Sequence, residues 1–129
     1  MTTACRVLIV EDEYFLATDL EESLRSEGAE IVGPVGELSE ALAQVNEDGF
    51  DAAVIDINLR GQSVYPIADK LIEKQIPFVF ATGYGQEALP SRFWEVKRFE
   101  KPYDAPAIAK HVVRLYRQWQ SAPDKQALR

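Results

Sequence analysis

Short apolar runs that each end in a polar or charged group constrain this chain more than any other feature. Val7-Leu8-Ile9-Val10 runs into Glu11-Asp12, Ala52-Ala53-Val54-Ile55 into Asp56, and Phe78-Val79-Phe80-Ala81 into Thr82; a weaker segment over residues 96–99 leads to Lys101-Pro102. If these runs are parallel strands, their carboxyl ends share one edge of one sheet. That edge then gathers three carboxylates, a hydroxyl and an ammonium. Carboxylates held that closely repel one another unless a cation sits among them, so the cluster calls for a hard divalent ion and an anionic ligand.

The segments between the runs carry the helical period. Leu16, Leu20 and Leu24 form one stripe, closed by Gly28 as the residue after a helix cap. Residues 30–35 read as a second strand. Leu38, Ala41, Leu42 and Val45 mark the next helix, and Ile67, Ala68, Leu71 and Ile72 another. Asp104 caps a long last helix with Pro106 in its first turn, and Ile108, Val112, Leu115, Tyr116 and Trp119 face the core. Five strands alternating with helices predict an α/β fold, a doubly wound five-stranded parallel sheet of flavodoxin-like type. Near-continuous apolar strands fit a sheet covered on both faces. The strand order 2-1-3-4-5, one of two common doubly wound arrangements, would place a ligand site beyond the carboxyl ends of the first and third strands, where Asp12 and Asp56 stand.

The remaining composition narrows the function. The 129 residues suffice for one domain, read here as a core over about 5–121 with a polar tail over 122–129. The net charge of −7 argues against nucleic acid as a direct partner. The lone cysteine, Cys5, opens a strand and reads as a small core residue; no internal disulfide can form. No apolar stretch reaches transmembrane length and no secretory leader is recognisable, so a cytoplasmic protein with no membrane partner is expected. His111 has no metal-spaced partner, and Glu13 is expected on a solvated first helical turn.

Each feature of the acidic edge has an ordinary explanation by itself: Glu11-Asp12 as acids at a helix start, Asp56 as a turn cap, Lys101 as a solvated cation. In this order and at these separations they resemble the receiver domain of two-component response regulators, over nearly the whole chain. The resemblance implies that Asp56 is the phospho-acceptor, with Thr82 and Lys101 contacting the phosphoryl oxygens. It implies Mg2+ (or Mn2+) held by Asp12 and Asp56, by Glu11 through water, and by the backbone carbonyl of Asn58. It also implies a frequent cis bond at Lys101-Pro102 and a phosphoryl donor that is a sensor histidine kinase or a histidine phosphotransfer protein. No enzymatic turnover beyond phosphorylation and autodephosphorylation of Asp56 is expected.

Residues 77–85, Pro-Phe-Val-Phe-Ala-Thr-Gly-Tyr-Gly, are similar to a receiver subclass with a Phe-Ala-Thr-Gly-aromatic signature, which implies a kinase of the HWE or a related type. Arg60 stands where most receivers carry Pro, and Arg98 stands where most carry an aromatic switch residue; Phe99 falls one position later, on the opposite face of a strand. Tyr84 is a candidate substitute. Gly83, Gly85 and Pro90 predict a short, mobile or partly unwound fourth helix over residues 86–93. The expected function is a stand-alone phosphorylation switch, monomeric or weakly dimeric, acting through protein contacts or as a phosphate sink or shuttle. Two rival readings use the same residues. A phosphate-independent docking module would not need the acidic edge. A Mg2+-dependent phosphohydrolase needs an acid two residues after its nucleophile, where Asn58 follows Asp56 and Tyr14 follows Asp12. Flavin binding is disfavoured by the acidic loop after the first strand.

Overall fold

The computed structural model describes residues 4–82 and 89–121. In chain order the elements are β1 (Arg6–Val10), α1 (Tyr14–Ser26), β2 (Glu30–Val35), α2 (Leu38–Glu47), β3 (Ala52–Asp56), β4 (Asn58–Leu59), β5 (Gln62–Ser63), α3 (Tyr65–Glu73), β6 (Phe78–Thr82), β7 (Arg98–Glu100) and α4 (Ala105–Ser121). Among the described residues between β6 and β7, one 3-10 turn spans Ser91–Phe93. The main sheet is parallel, in the order β2-β1-β3-β6-β7; β4 and β5 pair separately as a small antiparallel hairpin. In the five-strand numbering used for the sequence this is the order 2-1-3-4-5.

Two apolar layers hold the sheet. Leu8, Val10, Ala53, Ile55, Phe78 and Phe80 face α2 and α3, while Val7, Ile9, Ala52, Val54 and Val79 face α1 and α4. Alternate residues of each central strand serve opposite layers, so these strands carry unbroken apolar runs between their polar ends. Leu20 and Leu24 of the predicted α1 stripe are fully buried, whereas Leu16 is half-buried and Ala17 takes the core position in that turn. Gly28 ends α1 with φ of 86°, and the amides of Gly28 and Ala29 return to the carbonyls of Arg25 and Leu24. The Asp104 carboxylate caps α4 by accepting from the Ala107 amide at 3.2 Å.

Four expectations need correction. The last strand begins at Arg98, two residues later than the sequence signal, because Val96 packs into the core from the loop. The core face of α4 includes Ala109 and Val113, whereas Trp119 is half-buried. Glu13 precedes α1 as its N-cap, accepting from the Leu16 amide at 2.8 Å. Ile72 on α3 is 45% exposed. The expected short fourth helix falls partly on residues 83–88, outside the described residues together with Tyr84 and the tail after Ser121; residues 89–96 contain only the 3-10 turn.

Cys5 is buried as expected, and burial together with the Asp51 charge pushes its thiol up to about 12. The thiolate is the reactive form. Iodoacetamide at about pH 8 is therefore expected to leave native Cys5 unmodified while alkylating the unfolded chain, as read by intact mass.

Candidate functional site

The carboxyl ends of β1, β3 and β6 and the loop after β7 meet at one point. Asp56 is the last residue of β3 and is 2% exposed; Glu11 follows β1 directly and is 4% exposed. Asp12 beside it is half-buried. Carboxylate oxygens of Glu11, Asp12 and Asp56 lie within 4.8 Å of one another. The Lys101 ammonium donates to Asp56 Oδ2 at 3.0 Å and pairs with Glu11 Oε1 at 3.4 Å. Its backbone amide donates to the Thr82 carbonyl at 2.7 Å, which ties the loop to the end of β6. The Lys101-Pro102 bond is cis. Asn58 is exposed, with its backbone amide donating to Asp56 Oδ1 at 3.1 Å. All six sequence-derived candidates, Glu11, Asp12, Asp56, Asn58, Thr82 and Lys101, thus stand at this edge. His111 does not; its ring packs on Phe99 with centroids 5.6 Å apart.

Burial and the neighbouring Asp56 charge push the Glu11 carboxyl up to about 7, against the opposing pull of the Glu13 amide and Lys101. Burial also works against the Lys101 ammonium. The hydrogen bond and charge of Asp56, followed by the charge of Glu11, outweigh it and hold the Lys101 pKa above its ordinary value. The lysine thus remains charged and neutralises part of a carboxylate pair that water hardly reaches.

Tyr103 belongs to the site and was missed in the sequence. Its hydroxyl donates to Glu11 Oε1 at 3.0 Å, while the Glu13 amide donates to Oε2 at 3.0 Å. The available signal was an aromatic residue with a polar tip just beyond Lys101-Pro102. Phe99 packs with the α1 and α4 layer, away from Phe80, so the face reversal expected from the sequence is present. The donor set at the centre is entirely carboxylate oxygen, the chemistry that a small hard cation such as Mg2+ selects over softer metals.

A five-stranded parallel sheet with a buried aspartate, an acidic pair and a lysine at its carboxyl edge is the arrangement of a receiver-type signalling domain. Residues 7–112 match the response regulator receiver domain family, and the chain belongs to it. Among solved structures it is similar to SdrG from Sphingomonas melonis Fr1, at 38% identity over 90% of this chain and 98% of that one, with a TM-score of 0.77. It is also similar to PdtaR, a transcriptional regulatory protein of Mycobacterium tuberculosis, at 36% identity over 67% of this chain and 43% of the relative. A third relative is the sensory transduction protein LytT of Bacillus cereus, at 31% identity over 90% of this chain and 49% of the relative. The chain spans less than half the length of these two curated relatives. No helix among the described residues is long and apolar enough to cross a membrane.

Proposed function

We propose that the chain is a phosphorylation switch in which Asp56 accepts a phosphoryl group from the phosphohistidine of a sensor histidine kinase, of HWE or related type, or of a histidine phosphotransfer protein. One observation carries this reading: a buried Asp56 with Lys101 at 3.0 Å and two further carboxylates within 4.8 Å. In the transfer, an Asp56 carboxylate oxygen forms the new O–P bond as the P–N bond of the donor breaks, and the imidazole leaves. Lys101 supplies a fixed point charge for a phosphoryl oxygen once Asp56 no longer holds it. The Thr82 hydroxyl, at the end of β6, is the donor for another oxygen.

Mg2+ (or Mn2+) suits the carboxylate set, held by Asp12 and Asp56, by Glu11 through water and by the Asn58 carbonyl. Bound there, the ion would offset the charge of the incoming phosphoryl group. The switch output is a protein contact that differs between the two states, or a role as phosphate sink or shuttle. SdrG has been solved in a BeF3-activated conformation, and that form is 40% identical to this chain over 86% of it with a TM-score of 0.68. That likeness supports a phosphoryl-dependent state here.

Incubation with Mg2+ and a small phosphodonor is expected to give a one-phosphate adduct by intact mass. The adduct should need Mg2+ and be absent from Asp56→Asn. A persistent adduct in Asp56→Asn would refute Asp56 as acceptor.

A further inference from the structure

The β4–β5 hairpin turns through Arg60 and Gly61, both at positive φ, 50° and 78°. Two-residue hairpin loops of this kind favour Asn-Gly or Asp-Gly, because short polar side chains and glycine tolerate the left-handed region. An arginine is a poor local choice for the first position. Its side chain does something the turn does not require. Nε donates to the carbonyl of Gly36 at 3.0 Å, across 24 residues of sequence.

Gly36, in the loop after β2, is backed directly onto the acidic pair. A Cβ placed on it would lie 3.5 Å from Asp12 Cα, 3.6 Å from Asp12 Cβ and 3.8 Å from the Glu11 carbonyl oxygen. The other end of the connection is equally short. Leu59 anchors the hairpin in the core with no exposed surface, and the Asn58 amide holds Asp56 Oδ1 at 3.1 Å. Gly36 thus lies close beside Asp12, Arg60 ties Gly36 to the β4–β5 hairpin, and the hairpin carries Asn58, whose backbone amide holds Asp56. This connection spans the acidic edge independently of Lys101.

We infer that Arg60 is a positioning residue: by clamping the β4–β5 hairpin to Gly36 it sets the separation of Asp12 from Asp56 and Asn58, and so the affinity of the edge for a divalent cation. The inference rests on the reading of this edge as a Mg2+ site. It predicts that the clamp acts on cation binding more than on folding or on chemistry at saturating cation.

The test is a Mg2+ titration followed by backbone amide NMR shifts of Asp12, Asp56 and Asn58, without phosphodonor. Wild type is compared with Arg60→Asn and Arg60→Gly, both compatible with the turn. Loss of one hydrogen bond's net contribution corresponds to a Mg2+ midpoint raised roughly threefold to tenfold. The cation-free melting temperature should fall only slightly, because Asn or Gly relieves the left-handed backbone at position 60 and offsets part of the lost bond, and the phosphorylation rate at saturating Mg2+ should be unchanged. An unchanged or tighter midpoint in both variants would overturn the clamp, the tighter one showing that Arg60 acts only as a repelling charge. Weaker binding that merely follows a strongly lowered melting temperature in both would also overturn it. Failure of wild type to show any Mg2+-dependent shift at these amides would remove the cation reading itself, and the clamp with it.

Discussion

Lys101→Met is expected to lower the stability of the cation-free protein by about 3 kcal/mol near neutral pH, the scale found when one partner of a buried ion pair is removed. Glu11 and Asp56 have side chains only 2% exposed, and Lys101 contacts both. Without it, two carboxylates face each other in low dielectric with little solvent to spread their charge. The pH dependence follows from Glu11. Its carboxyl is raised from 4.5 to about 7 in the fold, chiefly by burial and then by Asp56. A raised folded pKa means the native state holds a proton that the unfolded chain has released. The associated stability is fully present below about pH 4.5 and is lost as pH rises through about 7. Removing Lys101 extends that loss to higher pH, so the variant should recover the Glu11 share of its deficit near pH 5, while the loss of the Asp56 pairing persists. Added Mg2+ should restore stability at neutral pH in its place. Urea unfolding across this range, with and without Mg2+, reads all three effects. A deficit independent of pH and of Mg2+ would mean that Lys101 acts through packing of its loop.

The sheet was readable because both of its faces are covered, which forces the unbroken apolar runs Val7 to Val10 in β1, Ala52 to Ile55 in β3 and Phe78 to Ala81 in β6. Helix ends were readable where one residue type solves one local problem, as with Gly28 at positive φ and Asp104 as a cap. The site was readable because its residues terminate those runs, and strand order alone carries Asp12 and Asp56 to adjacent β1 and β3. The β4–β5 hairpin gave no such signal. It has two residues per strand, and of these only Leu59 is buried, so neither periodicity nor an apolar run marks it. The shift of β7 has a similar origin. Its three residues are half-buried or exposed, and the apolar Val96 that drew the sequence assignment belongs to the loop. Tyr103 and Arg60 were illegible for another reason: each acts through a long-range hydrogen bond, to Glu11 and to Gly36, which depends on where distant loops come together.

Phe93→Ala is expected to cost about 3–5 kcal/mol, although no helical or strand pattern surrounds the residue. Its ring is fully buried, edge-on to Phe80 at 5.7 Å and tilted against Tyr65 of α3 at 5.3 Å. The turn that presents it begins at Pro90, whose carbonyl accepts the Phe93 amide at 2.9 Å. Arg92 beside it reaches Asp69 of α3 at 2.7 Å and stacks its guanidinium on the Phe93 ring at 4.5 Å. Phe93 thus fills, from a loop, space on the α2–α3 face of the sheet. On β7 that face offers Arg98, aligned with Phe80, whereas Phe99 packs on the other layer. Trp94, one residue on, is 74% exposed and spends its indole N–H on the Leu89 carbonyl at 2.9 Å, so Trp94→Ala should cost at most about 1 kcal/mol. Chemical denaturation of the two variants separates the cases: Phe93→Ala should lower the midpoint strongly at constant slope, with Trp94→Ala close to wild type. Because Phe80 lies two residues before Thr82 on β6, the cavity left by Phe93 should also loosen the strand that carries the hydroxyl. Faster exchange of the Phe80 amide than the global loss of stability accounts for would show that coupling. Similar midpoints for the two variants would mean that the loop is not anchored through Phe93.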